Sequence, residues 1–243
     1  MPSNAATRAV PSRRERVRAA TVEEIKATAM TLLREHGPEL RFTDIARDMG
    51  MTAPALYRYF SDRDALLSAL MVDGFEEMQT ALSSALDATE PTDLAARIRA
   101  AAAAYRGFAR QDPSRFALLF GLPNPGFAHG QHTSGPAAGA TLARLETMMR
   151  TVLDRGSLPR PLVHEVGPTV ATELPTVQQG DGQLLPPEQY QALLHFLASV
   201  HGFACLESFG HLDWISERAR DEIFEAQVEL LVEALGAPRA PGP

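Results

Sequence analysis

The sequence is poor in cysteine and tryptophan, with only Cys205 and Trp214 among 243 residues. A lone cysteine excludes an intramolecular disulfide framework and any paired-cysteine metal or redox motif, so Cys205 reads as a core residue in a reducing compartment. No run approaches the roughly 18 consecutive apolar residues of a membrane span, and the Arg-rich N-terminal stretch lacks the apolar centre of a secretory signal. A cytoplasmic protein without a membrane partner is expected. Internal repeats are missing, and Val, Ile and Thr are too scattered for strand alternation. Chemistry-bearing motifs are missing too. His129 and His132 lie in a Gly-rich stretch without the H-E-x-x-H spacing, and neither a nucleophile elbow nor a phosphate-binding glycine loop occurs. A helical hydrolase or metal enzyme is therefore the weaker alternative, and no cofactor is expected.

Excess positive charge is also lacking. The formal net charge is −7, which on its own argues against a nucleic-acid partner, because neutralising phosphates takes Lys and Arg. The distribution of charge points the other way. Residues 1–75 carry 11 Lys and Arg against 10 Asp and Glu, whereas 76–243 carry 12 against 20. Arg8, Arg13, Arg14, Arg16 and Arg18 stand against Glu15 alone within the first 20 residues, where a basic arm could lie along DNA. The acidic total equally suits a helical adaptor that binds no DNA.

What the chain does contain is helical periodicity. Val22, Ile25, Ala29, Leu32 and Leu33 mark a helix over about 18–36 that stops at His36-Gly37-Pro38. Two short helices follow, Thr43 to Met49 and Thr52 to Phe60, separated by Gly50. Ser61 and Asp64 have the S-x-x-D form of a capping box and open a helix to about 86 bearing Leu67, Leu70, Met71, Gly74, Met78 and Leu82. Further helices are predicted over 93–110, 113–120 and 137–154, with a Gly/Pro-rich loop over 121–136 and an irregular stretch over 160–186. The last two helices, 187–209 and 214–235, carry Tyr190, Leu194, Leu197, His201 and Cys205, and Ile215, Ala219, Ile223, Gln227, Leu230 and Ala234. The fold class is all-α with about nine helices. His201 reads first as a hydrogen-bonded core residue, and Gly202 as a place where helices approach closely.

The stretch with specific chemistry is Phe42-Thr43-Asp44-Ile45-Ala46-Arg47-Asp48-Met49-Gly50-Met51-Thr52-Ala53-Pro54-Ala55-Leu56-Tyr57-Arg58-Tyr59-Phe60. Ile45, Ala46, Leu56 and Phe60 can pack inward, Gly50 supplies a permissive turn, and the second helix keeps a polar face, which is the spacing of a helix-turn-helix. Residues 16–67 resemble the DNA-binding domain of the TetR family: Asp44-Ile45-Ala46, Gly50, Leu56-Tyr57, Phe60 and Leu66-Leu67 fall on its pattern, with Tyr59 and Arg63 at the usual His and Lys. Arg41, Ala53 and Pro54 depart from it. Val200-His201-Gly202-Phe203-Ala204 is similar to a short His-Gly motif of some members.

The resemblance implies that Thr43, Tyr57, Tyr59 and Arg63 hold phosphates, while Thr52, Ala53, Ala55 and Arg58 approach base edges. Pro54, in the first turn after Thr52, costs the helix little but removes one phosphate donor. Ala53 and Ala55 offer apolar contact suited to thymine methyls, so DNA shape should contribute to recognition. The expected organisation is a disordered basic arm over 1–15, a DNA-binding domain over 16–75, an effector-binding and dimerisation domain over 76–236 and a disordered tail over 237–243. Expected partners are a pseudo-palindromic operator in double-stranded DNA, a second copy of the chain and a small apolar or aromatic effector. The effector would lie among Tyr105, Phe108, Phe116, Phe120 and Met148. Release from the operator on effector binding would make the protein a ligand-responsive repressor, with the fourth helix transmitting the change.

Overall fold

The structure is a computed structural model that describes residues 12–37, 39–120, 166–177 and 187–235. Among the described residues there are nine helices and no strand: α1 (Arg13–His36), α2 (Phe42–Asp48), α3 (Ala53–Leu56), α4 (Arg63–Asp87), α5 (Leu94–Gln111), α6 (Pro113–Phe120), α7 (Pro168–Val177), α8 (Pro187–Ser208) and α9 (Glu217–Ala234). Met148 and the helix predicted over 137–154 lie outside the described residues, as do the 121–136 loop and the 237–243 tail. The chain divides into two compact units, one ending at Met71 and one beginning at Val72.

In the first unit α1 starts five residues earlier than its apolar spacing predicts. Ser12 is the reason. Its hydroxyl accepts the Glu15 amide at 3.2 Å, and the Glu15 carboxylate accepts the Ser12 amide at 2.7 Å, a reciprocal capping box that satisfies two otherwise orphaned donors. Residues 13–15, assigned above to a disordered arm, are therefore helical, and Arg13, Arg14, Arg16 and Arg18 sit on the exposed first turns of α1. At its other end, Gly37 takes φ 73° and ψ −158° while its amide bonds to the Leu33 carbonyl at 3.0 Å, a backbone region open essentially to glycine. Ile25, Ala29, Met30, Leu32 and Leu33 of α1 pack with Leu40, Phe42, Ile45, Ala46, Leu56 and Phe60 to form the core of this unit.

The cap of α4 also differs from the expected one. Asp62, not Ser61, accepts the Ala65 amide, at 2.7 Å, and the Ser61 hydroxyl instead donates to the Asp62 carboxylate at 3.0 Å. A carboxylate is the stronger acceptor and its charge suits a helix N-terminus. The Ala65 amide, followed by the Ser61 hydroxyl, holds the Asp62 pKa below the usual carboxylate value.

In the second unit Asp93, Asp112 and Ser216 cap α5, α6 and α9 through the Ala96, Arg115 and Ala219 amides. Its core is built from Phe75, Met78 and Leu82 of α4, Ile98, Ala102, Tyr105 and Ala109 of α5, Phe116 and Leu119 of α6, and the inner faces of α8 and α9. Gly74 lets α6 come close: a Cβ there would sit 3.0 Å from the Leu119 side chain. The buried side of α9 is Phe224, Val228 and Val232, while Ile223 and Leu230 of the predicted apolar stripe remain 49% and 67% exposed.

Candidate nucleic-acid interface

The turn between α2 and α3 is dictated by Gly50. With φ 63° it occupies the left-handed region, its amide bonds to the Arg47 carbonyl at 3.1 Å, and the following Met51 amide reaches the Ala46 carbonyl at 2.8 Å. This pair of bonds is a Schellman motif, which closes the open carbonyls of α2 and redirects the chain at a position where a side chain would be strained. Ile45, Ala46 and Leu56, all 2% exposed or less, hold α2 against α3.

The second helix is shorter than predicted. It runs only from Ala53 to Leu56, after which Tyr57 to Tyr59 turn through bonds from the Arg58 amide to Ala55 and from the Tyr59 amide to Leu56. Thr52 occupies the N-cap position without a side-chain capping bond, and Pro54 lies in the first turn, where its missing N–H costs little. Leu56 and Phe60 are buried as their spacing requires, so a single helical turn followed by a tight turn satisfies the same apolar pattern as a longer helix.

Thr43, Thr52, Pro54, Tyr57 and Arg58 are exposed, and Ala53, Ala55, Tyr59 and Arg63 are half-buried. Tyr57 is 56% exposed while its ring lies 5.0 Å from that of Phe42, so one edge packs and the rest meets solvent. Arg63 turns back into its own unit: its Nε donates to the Leu40 carbonyl at 3.0 Å. Asp44 of α2 ties Arg41 at 3.0 Å and Arg47 at 3.3 Å.

The residues predicted to meet an effector are brought together in the second unit, but as a packed cluster. Tyr105, Phe116 and Phe120 have ring centroids 5.0 to 6.2 Å apart, and Phe108 is buried on α5. His201 joins them, its Nδ1 2.8 Å from the Tyr105 hydroxyl and its Nε2 3.4 Å from Cys205 Sγ. Burial lowers the His201 pKa, favouring the neutral imidazole, and burial, followed by the nearby Cys205, raises that of Tyr105 well above normal. His201 is hydrogen-bonded as expected, but it and Cys205 are half-buried at the margin of the core and not within it. A surface groove of about 830 Å³ lies elsewhere, lined by Arg99, Arg106 and Arg110 of α5 and by Asp221, Phe224 and Val228 of α9.

Sequence reasoning missed the ionic seam beneath that groove. Arg106, only 8% exposed, donates twice to Glu207 at 2.7 Å and once to Asp221 at 2.8 Å, and lies over the rings of Phe203 and Phe224. Arg110 pairs with Asp221 and Glu217, and Arg99 with Glu229. Burial works against the Arg106 charge, but the bonds to Glu207 and the fields of Glu207 and Asp221 outweigh it and raise the pKa. The readable signal was a basic stripe at 99, 106 and 110 and an acidic one at 217, 221 and 229, both at helical spacing.

Two family descriptions match the chain: "Bacterial regulatory proteins, tetR family" over residues 18–70, and "Tetracyclin repressor-like, C-terminal domain" over residues 98–231. The HTH-type transcriptional regulator Rv1816 of Mycobacterium tuberculosis is 32% identical over 222 residues, covering 88% of this chain and 93% of its own. The chain belongs to the TetR family. It is accordingly a DNA-binding transcriptional regulator of the helix-turn-helix type. Among solved structures, the regulatory protein SCO4313 is 28% identical with a TM-score of 0.69, covering 91% of this TetR-family chain and all of its own. The TetR family regulator PfmR of Thermus thermophilus, 18% identical with a TM-score of 0.53, covers 87% and 98% and shares the all-α fold. No helix among the described residues is long and apolar enough to cross a membrane.

Proposed function

We propose that the protein is a ligand-responsive repressor that reads its operator through the segment from Thr52 to Arg58. The observation that carries this reading is the outward presentation of Thr52, Pro54, Tyr57 and Arg58 from a turn fixed by Gly50 and anchored by fully buried Leu56. Arg58 reads a base edge, Ala53 and Ala55 offer apolar contact, and Thr43, Tyr57 and Tyr59 face phosphates, while Arg63, whose Nε is held by the Leu40 carbonyl, can offer a phosphate only its terminal nitrogens. Arg58→Ala should then cost about 1 to 3 kcal/mol and relax specificity at one or two base pairs, whereas Tyr57→Phe should weaken all sequences alike. Fluorescence anisotropy on genome-selected and point-changed operators checks this. An Arg58→Ala protein with unaltered affinity would remove Arg58 from the reading set.

The second unit senses an apolar or aromatic effector that displaces part of the packing around Tyr105, Phe108, Phe116 and Phe120. For induction the effector must favour the arrangement that cannot hold DNA, by a coupling of about 1 to 3 kcal/mol, a five- to 150-fold loss of operator affinity. Titrating hydrophobic ligands against the protein-operator complex measures it. If every bound ligand leaves operator affinity unchanged, the sensing role fails and the DNA-binding role stands. The partner in DNA binding is a second copy of the chain, joined through the exposed apolar faces of α8 and α9, and the operator is a pseudo-palindrome.

A further inference from the structure

Arg18 does something that an arm tracking phosphates would not do. It lies in the first turns of α1, and its side chain reaches across 40 residues of sequence to the segment that follows α3. Its Nη2 donates to the carbonyl of Arg58 at 3.1 Å, and its guanidinium carbon lies 5.1 Å from the centroid of the Tyr59 ring. One side chain therefore holds the backbone of the proposed base reader and the ring of its neighbour.

The segment needs such a hold. A four-residue helix supplies almost no cooperative backbone bonding of its own, Pro54 removes a donor and Thr52 adds no side-chain cap. Carbonyls at the end of a helix lack intrahelical partners and favour a cation nearby. The planar guanidinium fits both tasks at once, because its fork donates in plane while its face covers an aromatic ring. Beyond the turn, Arg63 ties the start of α4 to the Leu40 carbonyl, so of these two arginines it is Arg18 that bonds to the main chain of the turn from Tyr57 to Phe60 itself.

We propose that Arg18 is a positioning residue for operator discrimination: by binding the Arg58 carbonyl and the Tyr59 ring it fixes the direction in which Arg58 leaves the turn, and it is not itself a phosphate contact. The inference rests on the reading role assigned to Arg58. Direct phosphate contact and positioning have different signatures, because each neutralised phosphate contributes about 0.9 to the slope of log affinity against log salt.

The test compares the full-length protein with Arg18→Ala and Arg18→Met, the latter keeping an unbranched helix-favouring stem should the former lose structure. Binding to genome-selected operator and to scrambled duplex is measured between about 50 and 200 mM salt, the span over which phosphate contacts are most evident, with a thermal melt of each variant. Positioning predicts operator affinity about five- to tenfold lower, scrambled-duplex affinity within about twofold of the parent, an unchanged salt slope and a weaker base preference at the position read by Arg58. A parallel loss on both duplexes with a slope shallower by about 0.9 makes Arg18 a phosphate contact and overturns the inference. An operator affinity equal to the parent's overturns it as well. If the parent itself does not prefer its selected fragments, it is the DNA-reading assignment that fails, an outcome separate from either of these.

Discussion

Arg106→Ala is expected to destabilise the second unit by about 3 to 5 kcal/mol, because it leaves Glu207 in the core with its main charge partner removed. Both side chains are under a tenth exposed, so water cannot take over the lost bonds without opening the contact between α5 and α8. Arg220 stands 3.8 Å from the same Glu207 oxygen and compensates in part, which favours the lower end of the range. The Asp221 contact adds less, since that carboxylate is 42% exposed and screened. Loss of the guanidinium from above Phe203 and Phe224 removes a further ~1 kcal/mol of cation–π attraction. Replacing both members, as Arg106→Met with Glu207→Leu, should be far milder than Arg106→Ala, because apolar side chains of similar volume carry no desolvation penalty. Urea unfolding followed by circular dichroism checks both variants. An Arg106→Ala unfolding free energy lowered by under about 1 kcal/mol would mean that the pair contributes registry and little stability.

That seam marks the boundary of what the sequence could disclose. Periodicity located α1, α4, α5, α8 and α9, because one apolar residue per turn is a local signal that any buried helix must carry. The Gly50 turn was legible for a similar reason, since few residues besides glycine take φ 63° without strain. At the start of α4 the S-x-x-D spacing singled out Ser61, whereas the adjacent Asp62, a stronger acceptor, takes the cap. The Ser12 cap is not announced by the apolar stripe of α1, which begins at Val22, because the one large apolar residue before it, Val17, is exposed. The Arg106–Glu207 pair spans 101 positions, and no local rule joins residues that far apart. On α9 the apolar periodicity marks the Ile223 and Leu230 stripe, but the Phe224, Val228 and Val232 stripe beside it, which the unit itself buries, is not separable from it by spacing alone.

The Ile223 and Leu230 stripe makes Leu230→Glu the substitution with the largest expected effect on assembly. Ala219, Ile223, Ala226, Leu230 and Ala234 recur along one side of α9, and Leu194, Ala198, Gly202 and Leu206 along the outer side of α8. Leu194, Leu206, Ile223 and Leu230 are all exposed within a single copy, and a Cβ placed on Gly202 would meet nothing within 4 Å. A symmetric four-helix bundle of α8 and α9 from two copies would cover both stripes, with Gly202 admitting the partner's helix at short range. In such an interface every substitution occurs twice. Removing two leucines forfeits about 3 kcal/mol of apolar burial, and placing two carboxylates in the same apolar surface adds at least ~1 kcal/mol more. A total of about 4 kcal/mol weakens the dimer roughly a thousandfold. Sedimentation velocity at micromolar protein should accordingly show dimer for the parent and monomer for Leu230→Glu. Gly202→Leu, which wedges the same surface without a charge, should shift the equilibrium the same way. Operator binding should fail in step, because a monomer would engage one half-site only, whereas a dimer bound to successive major grooves would need its two reading segments about 34 to 36 Å apart. The thermal melt of the monomer should keep the unfolding transition of the DNA-reading unit, since Leu230 belongs to the second unit alone. A Leu230→Glu protein that sediments as a dimer would rule out this face, and the exposed leucines of α8 and α9 would then need another occupant.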